Sequence, residues 1–395
     1  RDLHSFPTRR SSDLKKICII TGTRAEYGLL YWLIKGVHDD TDMELQLLVT
    51  GMHLSPEFGL TWKEIEKDGF RITRKIEILL SSDTAIGISK SNALAIISFA
   101  EAFEELKPEI IVLLGDRTET FAVAQAALIA GIPVAHIHGG ELTEGAYDDA
   151  IRHSITKMSH LHFTATEVYR KRVIQLGEQP ETVFNVGAIG LDNIKKLQLL
   201  NRSDFEASIN RKLLSRNLLI TFHPVTLEEQ SAGNQFQQLL DTLEELNDTM
   251  LIFTKPNSDK DGRIIMQMID EYVSKNPLKA IAFTSLGQLR YLSAMQYIDA
   301  VIGNSSSGII EVPAFNIPTI NIGDRQKGRI TGPSVFNCQP VKKEIKFALE
   351  KAFNFDRQKY WQLPYGDGNT SEKILEIIKS RKEIKLKKRF YDIKF

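Results

Sequence analysis

The chain contains little cysteine and no long uninterrupted apolar segment. Only two cysteines, Cys18 and Cys338, occur in 395 residues, and their separation fits neither a disulfide framework nor a metal-binding pair. No apolar run approaches the roughly 18 residues that a membrane-spanning helix needs. We therefore expect a reduced, cytoplasmic protein with no membrane partner.

The chain also lacks an excess of charge of either sign. Its 50 basic residues match its 50 acidic residues, so the formal net charge is zero. Nucleic-acid-binding domains usually carry a basic excess, and we expect no nucleic-acid partner. The apolar content of 42% and charged content of 25% are ordinary for a globular protein, and the length predicts two to three domains.

Both ends of the sequence differ from the rest. The first fourteen residues, Arg1 to Leu14, have no initiator methionine and resemble translated adapter sequence. We interpret 1–14 as a non-native or disordered leader before a start near Lys15. The tail from Arg381 is basic, and we expect it to be the solvated end of a helix.

Short apolar runs alternate with helix-length segments along the whole chain. This alternation is typical of βαβ units, in which helices cover both faces of a parallel sheet. The predicted strands are 17–20, 45–49, 110–114, 132–137, 161–164, 218–222, 250–253, 280–283, 300–302 and 319–322. The predicted helices include 26–37, 88–106, 119–130, 235–246, 263–273 and 288–294.

The pattern restarts after about residue 200, which predicts two doubly wound α/β domains in tandem. We place them at 15–190 and 191–368, with a final helix and basic tail at 369–395. In such sheets ligands bind outside the carboxyl ends of the strands. We therefore expect the site in a cleft between the domains.

The segment from Gly303 to Glu311 joins a predicted strand to a predicted helix start. Unpaired N–H groups there, together with the hydroxyls of Ser305 and Ser306, could bind an anion such as a diphosphate. Glu311, one helical turn on, could bind a ribose. The alternative is an ordinary serine-rich helix cap.

The first strand is followed by a turn that contains Arg24. Arginine suits bidentate phosphate recognition, although a plain surface residue is the alternative. Neither the G-x-G-x-x-G dinucleotide motif nor a Walker loop occurs in the chain. These absences disfavour an NAD enzyme and a P-loop kinase.

Charged residues follow other predicted strands. Asp116 and Arg117 end one strand, and Asp116 is either an acid–base residue or a helix cap. The next strand ends with His136 and His138 in alternate positions, which predicts that they share a face. Because no third ligand has convincing spacing, we expect no metal.

Further polar residues lie at or near predicted element ends. Asp148 either caps a helix or pairs with Asp116 as an acid and a base with separated pKa values. His223 ends the first strand of the second domain, where a capping role is the alternative. Arg325 is another candidate for the diphosphate. Asn257 and Ser285 follow later strands.

Taken together, these motifs resemble the hydrolysing UDP-N-acetylglucosamine 2-epimerase family of sialic-acid and legionaminic-acid biosynthesis. The resemblance covers about 15–355. The motifs occur in the order Arg24-Ala25-Glu26-Tyr27, Gly115-Asp116-Arg117, His138-Gly139-Gly140-Glu141, Asp148-Asp149-Ala150-Ile151-Arg152-His153-Ser154-Ile155-Thr156-Lys157, Gly303-Asn304-Ser305-Ser306-Ser307-Gly308 and Gly323-Asp324-Arg325-Gln326-Lys327-Gly328-Arg329.

The resemblance implies a glycosyltransferase-B-like pair of Rossmann-like domains, with the nucleotide held mainly by the second. It also implies a reaction that needs no cofactor and a homodimer or higher homo-oligomer. UDP-N-acetylglucosamine would lose its C2 proton and UDP to give 2-acetamidoglucal, and rehydration would release N-acetylmannosamine.

The resemblance assigns roles to the same residues. Acid–base work falls to Asp116 and Asp148, and His223 would stabilise the departing phosphate. Relatives often carry glutamate at the position of His138, so either His138 or Glu141 is expected to supply the second acid. The expected UDP-binding residues are Arg24, Arg117, Asn257, Ser285, Ser305, Ser306, Glu311 and Arg325.

Three alternatives remain at this point. The same reaction on UDP-N,N′-diacetylbacillosamine would differ only at C4 and C6 of the sugar. A glycosyltransferase would share the two-domain architecture. A sugar-nucleotide sensor would have no need for Asp116, Asp148 and His223.

Overall fold

The computed structural model describes residues 14–80, 82, 84–143, 147–224, 232–256, 262–359 and 363–394. Contacts within the chain divide it into two compact units. The first unit comprises the described residues up to Gly140, Ala150–Ile189 and those from Asn369 on, and the second comprises Glu141–Asp149 and Gly190–Gly368.

Within the described residues, the first unit contains a seven-stranded parallel sheet in the order β3-β2-β1-β4-β5-β6-β7. Its strands are β1 Lys15–Thr21, β2 Met43–Thr50, β3 Arg74–Ile76, β4 Ile110–Leu114, β5 Val134–Ile137, β6 Leu161–Thr164 and β7 Val183–Asn185. The helices up to β7 are α1 Arg24–Asp39, α2 Trp62–Lys67, α3 Ala85–Leu106, α4 Thr118–Ala130, α5 Asp148–Met158 and α6 Glu167–Gln175.

The second unit, within the described ranges, contains a six-stranded parallel sheet in the order β10-β9-β8-β11-β12-β13. Its strands are β8 Arg216–Thr221, β9 Thr249–Thr254, β10 Ala280–Phe283, β11 Ala300–Gly303, β12 Thr319–Ile322 and β13 Val335–Cys338. The remaining helices are α7 Leu191–Lys196, α8 Arg202–Ser208, α9 Ala232–Glu244, α10 Gly262–Lys275, α11 Gly287–Ala294, α12 Ser307–Ile310, α13 Lys342–Phe353 and α14 Thr370–Ser380.

Both faces of each sheet are covered, as the continuous apolar strands predict. In β1, Ile17 and Ile19 join one buried cluster while Cys18 joins another. In β8, Leu218 and Leu219 divide in the same way. The predicted α/β class with two doubly wound units is therefore confirmed. No helix in the described ranges is long and apolar enough to cross a membrane.

The carboxyl-terminal segment from Asn369 on is part of the first unit. Ile374 and Ile378 of α14 are buried in the same cluster as the apolar face of α1. Beyond α14, the ammonium group of Lys388 donates to the carbonyl of Lys157 at 2.9 Å and ion-pairs with Glu178 at 2.6 Å. The expectation that the tail is the end of a helix is wrong, because α14 stops at Ser380; most tail residues are exposed to solvent, as expected.

Candidate active site

Both sheets reverse their strand order at one point, and such switch points are where doubly wound proteins bind ligands. In the first unit the reversal lies between β1 and β4, which precede Arg24 and Asp116. In the second it lies between β8 and β11, which precede His223 and Ser305. These predicted residues thus lie in two clusters, one in each unit.

In the first cluster, Asp116 is held by a buried arginine. Nη2 of Arg152 donates to Oδ2 of Asp116, and the two side chains are 3% and 22% exposed. The alternative that Asp116 caps α4 is wrong, since the capping residue is Arg117 and it makes no side-chain cap bond. The carboxylate therefore has a fixed orientation at the end of β4.

Arg117 is oriented by the residue two positions later. Its Nε donates to Oε1 of Glu119 at 2.5 Å, and its Nη2 lies 3.8 Å from the sulfur of Met52. Burial alone would raise the pKa of Glu119, but the Arg117 charge and hydrogen bond outweigh it and hold that pKa below its usual value. Arg117 is therefore a fixed cation at the switch point.

Arg24 is the first residue of α1 and is exposed. Its Nε lies 3.0 Å from a carboxylate oxygen of Glu64, and both side chains are almost half exposed. Exposed pairs of this kind contribute little to stability, so Arg24 can exchange Glu64 for an anionic ligand at small cost.

His138 does not continue β5. Its φ of +67° places it in the left-handed region, and its Nε2 accepts the backbone N–H of Ile189 at 3.2 Å. An accepting Nε2 carries a lone pair, so in the neutral ring the proton resides on Nδ1. The left-handed residue also ends the strand alternation on which the predicted shared face of His136 and His138 depended.

His136 has structural partners instead. It is fully buried, with Nε2 2.7 Å from the carbonyl of Gly115 and Nδ1 3.2 Å from the hydroxyl of Thr156. Burial lowers the pKa of His136 to about 3, which keeps it neutral. Within the described ranges, no group of three His, Cys, Asp or Glu residues is arranged to hold a metal ion.

In the second cluster, Asn304 joins the ends of β8 and β11. Its Oδ1 accepts the backbone N–H of His223 at 2.7 Å, and its Nδ2 donates to the His223 carbonyl at 2.8 Å. The carbonyl of Asn304 accepts Nη1 of Arg325 at 3.1 Å and Nε2 of Gln326 at 2.9 Å. One buried asparagine therefore fixes both His223 and the loop that carries Arg325.

The His223 ring is neutral. Burial, assisted by the charge of Arg325, lowers the pKa of His223 to about 3. Its Nδ1 is buried without a hydrogen-bond partner among the described residues. This nitrogen is therefore available to a bound ligand.

The turn with Ser305 and Ser306 lies close against β8. Gly303 has a φ of +141°, and a Cβ there would lie 1.8 Å from the carbonyl oxygen of Thr221, so only glycine fits. The following helix, α12, has four residues. It offers little macrodipole, so anion binding at this turn depends on individual N–H groups and hydroxyls.

Glu311 immediately follows α12. Burial raises its pKa, and its Oε2 is buried without a hydrogen-bond partner among the described residues. The preceding turn is fixed by the Tyr291 hydroxyl, 2.7 Å from that of Ser307. An unpartnered carboxylate oxygen is suited to accept hydrogen bonds from ligand hydroxyls.

The remaining predicted residues have varied surroundings. Glu141 is buried, and its Oε2 lies 3.3 Å from Nη1 of Arg329. Asp148 begins α5 as a helical residue, and Asp149 accepts the N–H of Thr143 at 2.8 Å. Ser285 is exposed and its hydroxyl accepts the N–H of Gly287, as in a helix start. The predicted residue Asn257 lies outside the described residues.

Comparisons with known proteins identify the family of the chain. The UDP-N-acetylglucosamine 2-epimerase family matches residues 35–379. The chain belongs to this family.

Among curated relatives, a Campylobacter jejuni GDP/UDP-N,N'-diacetylbacillosamine 2-epimerase (hydrolyzing) is 49% identical over 82% of this chain and 84% of that protein. The Escherichia coli polysialic acid biosynthesis protein P7 is 40% identical over 96% of this chain and 98% of that protein. A Neisseria meningitidis UDP-GlcNAc 2-epimerase structure bound to UDP-GlcNAc shares the fold, with a TM-score of 0.79 at 18% identity, over 93% of this chain and all of that chain.

The predicted resemblance to this epimerase family is thus confirmed, and so is the expectation that the chain is an enzyme. Sequence reasoning nevertheless assigned no role to four residues that orient the predicted ones, namely Glu119, Arg152, Asn304 and Arg329. Three of them lie inside the quoted motifs. The signal was available for Arg152, because it follows Asp148 by one helical turn and so lies on the same side of α5.

Proposed function

We propose that this member of the epimerase family is a hydrolysing 2-epimerase of a UDP-linked 2-acetamido sugar. The observation that supports it best is that family membership coincides with fixed polar residues at both sheet switch points. Asp116 and Arg152 form one such group, and Asn304 with His223 and Arg325 forms the other.

The proposed first step is an elimination. A carboxylate takes the C2 proton, the C2–H electron pair becomes the C1–C2 double bond, and the C1–oxygen bond breaks to release UDP. In the second step water adds its oxygen to C1, and C2 receives a proton on the opposite face. Asp116 and Asp148 carry the proton transfers in this proposal, since the C2 hydrogen is only weakly acidic and needs a positioned base.

The negative charge on the leaving diphosphate requires positively charged groups and hydrogen-bond donors. Arg24, Arg117 and Arg325 would supply charge, and Ser305 with Ser306 would supply hydroxyl and N–H groups. His223 would act as a neutral hydrogen-bond partner of the phosphate, because burial keeps its ring uncharged. Glu311 would bind the ribose hydroxyls, and Asn257 and Ser285 are proposed to contact the uridine.

A further acid is expected to assist Asp116 and Asp148 in the rehydration step. For this role we favour His138 over Glu141. The carboxylate of Glu141 is engaged by the guanidinium of Arg329, whereas His138 accepts the Ile189 N–H at Nε2, so that in its neutral form Nδ1 would carry the proton. A histidine can exchange a proton near neutral pH, as the rehydration step requires. Replacement of His138 by asparagine should therefore slow rehydration and let 2-acetamidoglucal accumulate.

Two sugars fit this chemistry. UDP-N-acetylglucosamine is the substrate that the sequence motifs predict, and the 40% identical relative is named for polysialic acid biosynthesis. The 49% identity to a diacetylbacillosamine enzyme favours UDP-N,N′-diacetylbacillosamine as the second candidate. Family membership favours either reaction over glycosyl transfer.

The discriminating experiment is a comparison of kcat/KM for the two nucleotides, with the released sugar identified by mass spectrometry. A preference of about 100-fold or more for one nucleotide, about 2.7 kcal/mol, would assign the substrate. Release of UDP without a free 2-epimerised sugar would refute the proposal.

We also propose a cytoplasmic homo-oligomer. Neither Cys18 nor Cys338 forms a disulfide, which fits a reducing compartment. Light scattering after gel filtration tests the assembly, and a mass of one chain would contradict it.

A further inference from the structure

Two acidic side chains of the first unit meet at Gly22 and are not used by the proposed reaction. A Cβ built on Gly22 would lie 2.8 Å from Oε1 of Glu119 and 3.3 Å from Oε2 of Glu26. Glu26 belongs to α1 and Glu119 to α4, so the pair joins the turns after β1 and β4. These are the turns on the two sides of the switch point.

Each carboxylate holds one of these turns. Oε2 of Glu26 accepts the N–H groups of Gly22 and Thr23, at 2.7 and 3.2 Å, and so completes a capping box at the start of α1. Glu119 holds Nε of Arg117 at 2.5 Å. The turn that carries Arg24 and the side chain of Arg117 are therefore fixed by two carboxylates that both approach Gly22.

The pair carries more negative charge than Arg117 can balance. Burial, followed by the charge of Glu119, raises the pKa of Glu26 to about 7, although Arg117 and the two backbone N–H groups oppose this. Glu119, in direct contact with the arginine, keeps the charge. A purely structural cap would need only one of these carboxylates.

We propose that Glu119 and Glu26 form a positioning pair that sets the Arg117 guanidinium and the Arg24 turn for the diphosphate of the substrate. This inference rests on the proposed function. Charge on the diphosphate grows as the C1–oxygen bond breaks, so correct placement of the two arginines should matter more in the transition state than in the ground state.

The test compares Glu119→Gln, which keeps the shape, with Glu119→Asp, which keeps the charge. Glu119→Gln should lower kcat by about 10- to 100-fold and change KM by less than about threefold, because a charge-assisted bond to Arg117 is lost. Glu119→Asp should recover most of the activity. Glu105→Gln is the matched control, because Glu105 pairs with Arg74 at the exposed surface of the same unit, and it should have no effect.

The pH profile separates positioning from simple loss of structure. Wild-type kcat/KM should contain a titration near pH 7 from Glu26, and Glu119→Gln should move it down by about one pH unit or more, because the neighbouring charge is gone. Gly22→Ala should also move this titration to lower pH, since the added methyl group displaces the Glu119 carboxylate. An unchanged profile with folded variants would overturn the proposal.

A readout without substrate keeps this test independent of the proposed function. Because the folded-state pKa of Glu26 is raised, this group stabilises the fold at low pH and loses that contribution as the pH rises through about 7. The melting temperature of Glu119→Gln relative to wild type should therefore rise between about pH 5 and pH 8. A difference in melting temperature that does not change with pH would overturn the proposed pair. Absence of turnover, together with the expected rise in this difference, would overturn the proposed function alone.

Discussion

Replacement of Asn304 by alanine should reduce both stability and UDP binding. The side chain is 1% exposed and makes two hydrogen bonds to the backbone of His223, at 2.7 and 2.8 Å. Each bond contributes about 1 kcal/mol, and two peptide groups left without partners add a desolvation cost. We expect a loss of about 2–4 kcal/mol in the free energy of unfolding.

The consequence for binding follows from what Asn304 positions. Without it the His223 segment and the Ser305 turn lose their connection, and we expect UDP affinity to fall by about 10- to 100-fold, or 1.4–2.7 kcal/mol. Urea denaturation gives the stability, and isothermal titration calorimetry gives the dissociation constant for UDP.

The amino end of β8 offers a matched control in the same unit. Asn217 is also buried, and its amide hydrogen-bonds to the backbone of Leu214 and Tyr297 at the amino end of β8, far from the carboxyl-end cluster. Asn217→Ala should cost a similar amount of stability and leave UDP affinity unchanged. Equal UDP affinities in Asn304→Ala and Asn217→Ala would refute the positioning role of Asn304.

Three further predictions concern single residues. Asp116→Asn should abolish turnover and change the calorimetric UDP affinity by less than about threefold, since the proposed role is proton transfer; full activity would remove Asp116 from the chemistry. Arg325→Ala should weaken UDP binding by about 10-fold or more, whereas Lys327→Ala in the same loop should not; equal calorimetric affinities would contradict this. Glu178 is buried among Lys157, His162 and Lys388, and these partners outweigh burial and lower its pKa to about 2. Its contribution of about 3 kcal/mol is present above about pH 4.5 and lost as the pH falls towards 2, so urea titrations of Glu178→Gln should show a deficit at pH 7 that disappears near pH 2.

Most of the fold could be predicted because the central strands are continuous apolar runs. The predicted strand 110–114 matches β4 to the residue, since all five side chains of β4 are buried and apolar. The strands β3, β7 and β13 were missed because they are three or four residues long and carry polar residues, as Arg74 and Lys75 in β3 show. In such short edge strands, neither the length of an apolar run nor an alternation of apolar and polar residues is sufficient to predict a strand.

The candidate site was predictable as a set of strand-end motifs but not as a set of contacts. Strand ends identify Asp116 and His223, because parallel strands bring their carboxyl ends to one edge. The contacts of Arg152 with Asp116 and of Asn304 with His223 join elements that are distant in the sequence, so the motifs alone do not predict these pairings. The left-handed backbone at His138 could not be predicted either, since the alternation of side chains in a strand does not show at which residue the strand ends.

Proton NMR of the reaction in D2O tests the central claim most directly. The purified protein is incubated with UDP-N-acetylglucosamine and, in a parallel tube, with UDP-N,N′-diacetylbacillosamine, without added NAD or metal. In at least one tube we predict free UDP and a 2-epimerised free sugar carrying deuterium at C2, because the C2 proton is lost and replaced from solvent. A sugar released with its original C2 hydrogen and configuration would contradict the account.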